Sequence, residues 1–348
     1  MRIFRLGDSG PEVQDIQQRL GALGIRVSAA EQGDFGTSTD AAVREFQEMR
    51  TLRVDGLVGP DTWGQLVEAG WRLGDRTVYL RAPMTRGDDV RELQRKLNAL
   101  GFDAGKQDGM FGARTDVAVR EFQRNVGHEP DGIVGPETLL ALDRLRPPSD
   151  GPGREVVREE ESLRAMAGAL AGAVIAIDPA HEGGDDRSES AHGEANATYA
   201  LATALADELE TLGAKPALLR GEDESPSGSA RARLANELGA TACISLHLRS
   251  EVSGEASGPT CYYFGSASTH SPMGRRLAEL ILEELVLALG KEGTTERLTA
   301  AMLRETRMPA VQVEPVISAT GSEERMRIEL SLRAVRAIAA GVARFFSG

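Results

Sequence analysis

The chain has 348 residues, of which 41% are hydrophobic, and it carries a formal net charge of −13. This length indicates two or three domains, and an acidic chain in which no basic stripe stands out is not expected to bind nucleic acid. No stretch approaches the roughly 18 apolar residues that a membrane span needs, and the first residues contain no apolar signal segment. We therefore expect a cytoplasmic protein without a membrane span.

An internal repeat organises the first part of the chain. The string AVREFQ occurs at 42–47 and again at 118–123, and VDGLVGPDTW at 54–63 is echoed by PDGIVGPETL at 130–139. Self-similarity at a fixed offset is typical of repeated structural units. Each copy opens with apolar residues at helical spacing and closes with a short helix after Gly-Pro, which predicts two small three-helix units. The spaced apolar residues are Val13, Ile16, Leu20, Leu23, Val90, Leu93, Leu97 and Leu100.

These all-α units resemble the peptidoglycan-binding domain (type 1) family, over about 5–70 and 79–143. The resemblance implies binding of a glycan strand or its stem peptide. The aromatic residues Phe46, Phe122 and Trp63 could contact such a ligand, but core packing is the favoured interpretation. The sequence identifies no contact residue in either repeat.

The composition changes after the second repeat. The segment RPPSDGPG at 146–153 cannot continue a helix, and the charged segment at 154–170 predicts a solvated spacer helix. The sequence thus predicts peptidoglycan-binding domains at 1–72 and 73–145, a linker with a spacer helix at 146–170, and a third domain at 171–348.

Strand and helix patterns alternate in the third domain. This alternation predicts an α/β domain with a largely parallel sheet flanked by helices, in which ligands bind beyond the carboxyl ends of the strands. The cysteines Cys243 and Cys261 lie in strand-like runs, and we expect both to be buried, reduced thiols. The predicted strands are 173–178, 215–220, 241–248, 259–264 and 309–317, and the predicted helices are 194–212, 228–239, 272–289, 295–305 and 323–346.

Four polar side chains fall near one edge of this predicted sheet. His181 follows the first strand, His247 ends the third, and Glu314 ends the last apolar strand. Glu194 begins a helix and lies seven residues before its first buried leucine, so it is expected on the side that faces the core. A carboxylate in that position is costly unless it is paired or bound to a metal. The leucines of this helix that we expect to be buried are Leu201, Leu205, Leu209 and Leu212.

This set of side chains suits zinc. Imidazole nitrogen and carboxylate oxygen both bind Zn²⁺ well, and catalytic zinc sites keep three protein ligands beside an open position. We therefore expect His181, Glu194 and His247 to bind zinc and Glu314 to transfer the proton of a water molecule. His192, in the segment AHGE, is a rival ligand.

Four motifs in the third domain carry a resemblance to a known family. They are DPAHEGG at 178–184, GEANATYALA at 193–202, SLH at 245–247 and PAVQVE at 309–314. Over about 173–346 the chain resembles the zinc-dependent N-acetylmuramoyl-L-alanine amidase family (amidase type 3). In that family the corresponding His, Glu and His bind zinc, and the last Glu is catalytic. The resemblance implies hydrolysis of the amide that joins the muramic-acid lactyl group to L-alanine, in peptidoglycan or muropeptides.

The domain order is similar to that of the actinobacterial CwlM-like group. This similarity implies an alternative function, a cytoplasmic regulator of peptidoglycan precursor synthesis with cell-wall synthesis proteins as partners. A plain glycan-binding protein with a structural amidase-like domain is a third possibility. The chain departs from the amidase pattern at Ala180 and Glu182, which replace glycines, and at Pro315, which directly follows Glu314. None of these changes removes a predicted ligand, so metal binding is better supported than turnover.

Overall fold

The computed structural model describes residues 2–145, 153–166, 170–180, 189–248, 258–266, 269–315 and 324–347, without side chains for 162–166, 189–194 and 324–328. The chain forms two compact units, Met1–Glu161 and Ser162–Gly348. No helix within the described ranges is long and apolar enough to cross a membrane.

The first unit contains the two predicted three-helix repeats and one further helix. The predicted apolar stripes lie in two separate cores, one for each repeat. Phe46 and Phe122 are fully buried, as expected for core residues. Trp63 packs against the first core, with the guanidinium of Arg19 5.1 Å from its ring centroid. The helices are α1 (Pro11–Ala22), α2 (Thr37–Met49), α3 (Pro60–Glu68), α4 (Asp88–Ala99), α5 (Ala113–Asn125), α6 (Pro136–Arg144) and α7 (Arg154–Met166), with a 3₁₀ turn at Ala29–Glu31.

A buried glutamine explains why the string AVREFQ is repeated. Gln123 is 2% exposed, and its Nε2 donates to Asp131 Oδ1 at 2.8 Å, to the carbonyl of Ile133 at 3.1 Å and to Thr138 Oγ1 at 3.2 Å. Gln47 makes the equivalent contacts in the first repeat. Each glutamine therefore ties the loop that follows its own helix to the start of the next helix.

A cluster of charged side chains joins the two repeats. Arg50, at the end of α2, donates two hydrogen bonds to the carboxylate of Asp88, at 2.9 and 2.6 Å. Asp88 begins α4 and also pairs with Arg91 at 2.6 Å. A bidentate arginine–carboxylate pair constrains the relative orientation of the two side chains as well as their distance, so it holds the two repeats in one arrangement.

Helix α7 packs against the second repeat. The Nε2 of Gln107 donates to Glu155 Oε1 at 2.7 Å, and both side chains are buried. Arg158 forms an ion pair with Asp103 at 3.2 Å. Burial is the main cause that raises the pKa of Glu155, and the charges of Glu159 and Asp103 raise it further.

The second unit is built around a six-stranded sheet with the order β2-β1-β3-β6-β4-β5. Strand β4 is antiparallel to β6, and the other four pairings are parallel, which confirms the predicted α/β fold. The strands are β1 (Val174–Pro179), β2 (Lys215–Leu218), β3 (Ala242–Leu246), β4 (Thr260–Phe264), β5 (Thr294–Leu298) and β6 (Ala310–Glu314). The helices are α8 (Glu189–Thr211), α9 (Gly228–Glu237), α10 (Pro272–Leu289), α11 (Ala301–Glu305) and α12 (Glu324–Ser347).

Both faces of this sheet are covered by helices. Apolar residues of α8, α10 and α12 form the core on one face, and residues of α9 and α11 cover the other. Cys243 and Cys261 lie in these strands, and both are buried free thiols, as the sequence predicts.

The structure corrects three local predictions in the second unit and one in the first, where α7 is not the predicted solvated spacer because Glu155 and Glu159 are buried. The helix predicted at 295–305 is wrong over its first part, because Thr294–Leu298 forms an edge strand that pairs with β4. Helix α8 begins at Glu189, one and a half turns before the predicted start at Glu194. Leu212 lies beyond the end of α8 and is 43% exposed, so the expected burial of this leucine is wrong.

Candidate active site

The carboxyl ends of β3 and β6 bring two predicted site residues together. The two strands are parallel neighbours, and their register pairs Leu246 with Val313. One residue further along both strands, His247 lies opposite Glu314. The backbone amide of His247 donates to the carbonyl of Val313 at 3.0 Å. Because paired residues of adjacent strands point to the same face of a sheet, His247 and Glu314 are neighbours at this edge.

A series of hydrogen-bonded, buried polar side chains ends at His247. The carboxylate of Asp178, fully buried at the end of β1, pairs through Oδ1 with Arg231 Nε at 2.5 Å. Its Oδ2 accepts a hydrogen bond from the Oγ of Ser245 at 2.6 Å, and that Oγ lies 3.2 Å from His247 Nε2. The guanidinium compensates a charge that would otherwise be very costly to bury.

The second edge residue, Glu314, is almost completely buried. It is 2% exposed, and its Oε1 accepts a hydrogen bond from Gln312 Nε2 at 3.1 Å. Burial, and next the charge of Glu314, raise the pKa of the Cys261 thiol far above its usual range. Cys261 therefore stays a neutral thiol at neutral pH, and we assign it no role as a nucleophile.

A buried arginine ties the second turn of α8 to the end of β1. The Nε of Arg220 donates to the carbonyl of Pro179 at 2.6 Å, and its Nη2 donates to the carbonyl of Ala195 at 2.9 Å. The Arg220 side chain is 5% exposed, and its guanidinium lies 5.5 Å from the ring of Tyr199. Because Ala195 directly follows Glu194, this contact holds the Glu194 backbone near the edge of the sheet. Burial, and next the charge of Arg231, lower the pKa of Arg220.

The amino-acid sequence alone assigns no role to these supporting residues. Asp178 and Ser245 lie inside two of its motifs, and strand alternation places Ser245 on the same face as His247, which is a usable signal. Arg220 bonds to backbone carbonyls that are distant in sequence, so no residue pattern identifies it.

The other predicted site residues are described only in part. His181 lies outside the described residues, and Glu194 and the rival ligand His192 belong to α8 without described side chains. Among the side chains that the structure does describe, no group of three His, Cys, Asp or Glu could hold a metal ion. The described donor nevertheless fits zinc, because His247 offers an imidazole whose second nitrogen is supported by a hydrogen-bonding partner, as is usual for metal-binding histidines.

Comparison with known proteins gives matches along most of the chain. The family model for N-acetylmuramoyl-L-alanine amidase matches residues 175–344, and the model for a putative peptidoglycan binding domain matches 9–66 and 86–142. The chain is 38% identical over 330 residues to N-acetylmuramoyl-L-alanine amidase CwlM of Mycobacterium tuberculosis, covering 89% of this chain and 81% of that protein.

Two further matches cover about half of the chain or less. The amidase CwlL of Bacillus licheniformis is 32% identical over 164 residues, covering 41% of this chain and 46% of that protein. The crystal structure of an N-acetylmuramoyl-L-alanine amidase from Clostridium difficile 630 matches at 26% identity with a TM-score of 0.43, covering 50% of this chain and 96% of that one.

Proposed function

This chain belongs to the N-acetylmuramoyl-L-alanine amidase family, and from that premise we propose that it hydrolyses the amide between the muramic-acid lactyl group and L-alanine. The substrate class is peptidoglycan or its muropeptide fragments. The observation that carries the proposal is the side-by-side position of His247 and Glu314 at the ends of β3 and β6, inside the segment that matches the family.

The proposed metal ligands are His181, Glu194 and His247. A bound zinc ion would supply Lewis acidity, which polarises an amide carbonyl and lowers the pKa of water. The support for this proposal is the chemistry of the donors together with the polar chain behind His247.

Glu314 is the proposed proton carrier. Its carboxylate would take a proton from the attacking water and deliver it to the nitrogen of the leaving L-alanine. The carbon–oxygen bond forms, the carbon–nitrogen bond breaks, and the products are a lactyl carboxylate and a peptide with a free amino terminus. The hydrogen bond from Gln312 orients the carboxylate, and burial keeps bulk water away from it.

The two repeats ahead of the amidase domain support a polymeric substrate. They match the family model for a putative peptidoglycan binding domain, and we assign them the task of holding the glycan strand or its stem peptides. Binding at these repeats raises the local concentration of substrate for a second site on the same chain.

The test is hydrolysis by the purified full chain. Zinc-loaded protein is incubated with purified sacculi and, separately, with soluble muropeptides, and released peptides with a free N-terminal L-alanine are identified by mass spectrometry. We expect release by the wild type and a loss of at least about 100-fold in Glu314→Gln, because general acid–base catalysis contributes roughly 10²–10⁴-fold. Zinc content of the variant, measured by elemental analysis, should match that of the wild type.

Equal and negligible release by the wild type and by Glu314→Gln would overturn the enzymatic proposal. If both proteins still bound zinc, the result would favour the alternative function, in which a metal-binding amidase-like domain regulates precursor synthesis in the cytoplasm through cell-wall synthesis proteins. Loss of zinc from a Glu194→Gln variant tests the ligand set separately, and retention of stoichiometric zinc would show that the set is wrong.

A further inference from the structure

The hydroxyl group of Ser245 lies between a carboxylate and an imidazole. Its Oγ is 2.6 Å from Asp178 Oδ2 and 3.2 Å from His247 Nε2. A serine hydroxyl carries one proton, so it can donate to only one of these two groups. Which group receives that proton decides the hydrogen-bonding role of the other.

The contact of Arg231 with Asp178 shows that the carboxylate receives the hydroxyl proton of Ser245. Its Nε lies 2.5 Å from Oδ1 of Asp178, so this buried group is held as a carboxylate that can only accept. The hydroxyl proton of Ser245 is therefore directed to Asp178. Toward His247 the same oxygen can only accept, and an accepted hydrogen bond at that position requires a proton on Nε2.

We infer that Arg231, Asp178 and Ser245 form a relay that fixes His247 as its Nε2–H tautomer and presents Nδ1 as the nitrogen that binds the metal. Asp178 and Ser245 are positioning residues, because both are fully buried and they act through His247. The part of the inference that concerns the metal rests on the proposed function, whereas the tautomer does not.

The relay has a physical advantage for metal binding. A neutral imidazole has two tautomers, and only one leaves the lone pair on a given nitrogen. If the tautomer is set in advance, no free energy is spent on selecting it when the metal binds. Loss of such a supporting partner typically weakens metal binding by about 10–100-fold.

A purely structural role is the competing interpretation. In that case the same contacts would only hold β1, β3 and α9 together, and their loss would change stability without changing the tautomer of His247. The two interpretations therefore differ in the tautomer of His247, which a change in stability alone does not alter.

The variant Asp178→Asn provides the sharpest test, because it reverses the relay. Arg231 remains and can only donate, so it attracts the amide oxygen and turns the amide NH₂ toward Ser245. Ser245 then accepts from Asn and donates its own proton to Nε2 of His247. This reversal predicts the Nδ1–H tautomer, in which the proposed ligating nitrogen is blocked.

The tautomer is measured by ¹⁵N NMR on full-length, metal-free protein labelled at histidine, at about pH 8, where an ordinary histidine is neutral. The chain has five histidines, and His247→Gln identifies the resonances of His247. We expect N–H character at Nε2 in the wild type, a mixture of tautomers in Ser245→Ala, and N–H character at Nδ1 in Asp178→Asn. Circular dichroism checks that each variant is folded.

Zinc affinity, measured by competition with a chelator, supplies the second readout. We expect Ser245→Ala and Asp178→Asn to bind zinc about 10–100-fold more weakly than the wild type. Thr299→Val is the matched control, since it removes a buried hydroxyl that donates to the carbonyl of Gly265 at 2.9 Å in the same unit, outside the relay. Its zinc affinity should equal that of the wild type.

Two results would overturn the inference. An Nδ1–H tautomer in the wild type contradicts it directly, and this measurement requires no variant other than the folded His247→Gln that assigns the resonances. Wild-type zinc affinity in both folded variants contradicts the positioning role even if the tautomer is as expected. Neither readout uses hydrolysis, so a failed sacculus assay refutes the proposed function and leaves the tautomer result standing.

Discussion

Replacement of Arg220 by methionine should separate the geometry of the site from the stability of the fold. The guanidinium joins the carbonyl of Pro179 to that of Ala195, and each carbonyl lies within two residues of a predicted zinc ligand. Methionine retains much of the apolar volume but donates no hydrogen bond, so the second turn of α8 is no longer tied to the end of β1. We expect weaker zinc binding by a protein that still folds.

The expected magnitudes follow from the contacts. Arg220 donates four hydrogen bonds to carbonyls, at 2.6, 2.9, 3.0 and 3.0 Å. Hydrogen bonds to a charged group contribute about 1.5–3 kcal/mol each, but burial of the ion costs several kcal/mol. We therefore expect the free energy of unfolding to fall by about 1–3 kcal/mol. Zinc affinity should fall about 10–100-fold, as for other supporting contacts of metal sites.

The assay combines two measurements on the full chain. Urea unfolding of the metal-free protein gives the stability term, and competition with a chelator gives the zinc affinity of the folded protein. Arg233→Met, at an exposed position of α9, controls for the loss of a positive charge. Arg220→Lys should fall between wild type and Arg220→Met, because an ammonium cannot bridge two carbonyls in the fixed geometry of a guanidinium. A folded Arg220→Met that binds zinc as tightly as the wild type would refute this reasoning.

The first unit yields three more predictions. Gln123→Ala should lower the free energy of unfolding of this unit by about 2–4 kcal/mol, because the buried hydroxyl of Thr138 and the buried amide of Gly132 both lose a hydrogen bond, and a urea midpoint close to wild type would contradict this. Burial raises the pKa of Glu155. The contribution of this residue to the stability of α7 is therefore full below the ordinary carboxyl pKa and is lost as pH rises through the raised value. Hydrogen exchange in α7, corrected for intrinsic rates, should therefore increase with pH in the wild type but not in Glu155→Gln, and a pH-independent wild type would refute this. A double-mutant cycle of Arg50→Met and Asp88→Asn should give a coupling of about 0.5–1 kcal/mol, whereas a coupling near zero would mean that the pair does not join the repeats.

Local patterns account for the elements that were predicted correctly. Apolar residues at steps of three and four determine one face of a helix whatever its neighbours are, so the repeats could be recognised before their packing was known. Short elements at the edges depend on partners instead. Thr294–Leu298 is a strand because β4 offers it hydrogen bonds, and its two β-branched threonines are by themselves too weak a signal to exclude the start of a helix.

For the site, the sequence by itself predicted which side chains would carry metal-binding and proton-transfer chemistry, since residue type and position at a strand end are local properties. His247 and Glu314 were predicted from such positions, and the register of β3 and β6 places them side by side. The roles of all four residues stay predictions, and His181 and the side chain of Glu194 lie outside what the structure describes. Only the tertiary structure decided what supports these residues, because Arg220 and the pair of Asp178 with Arg231 act through contacts that close when distant segments pack.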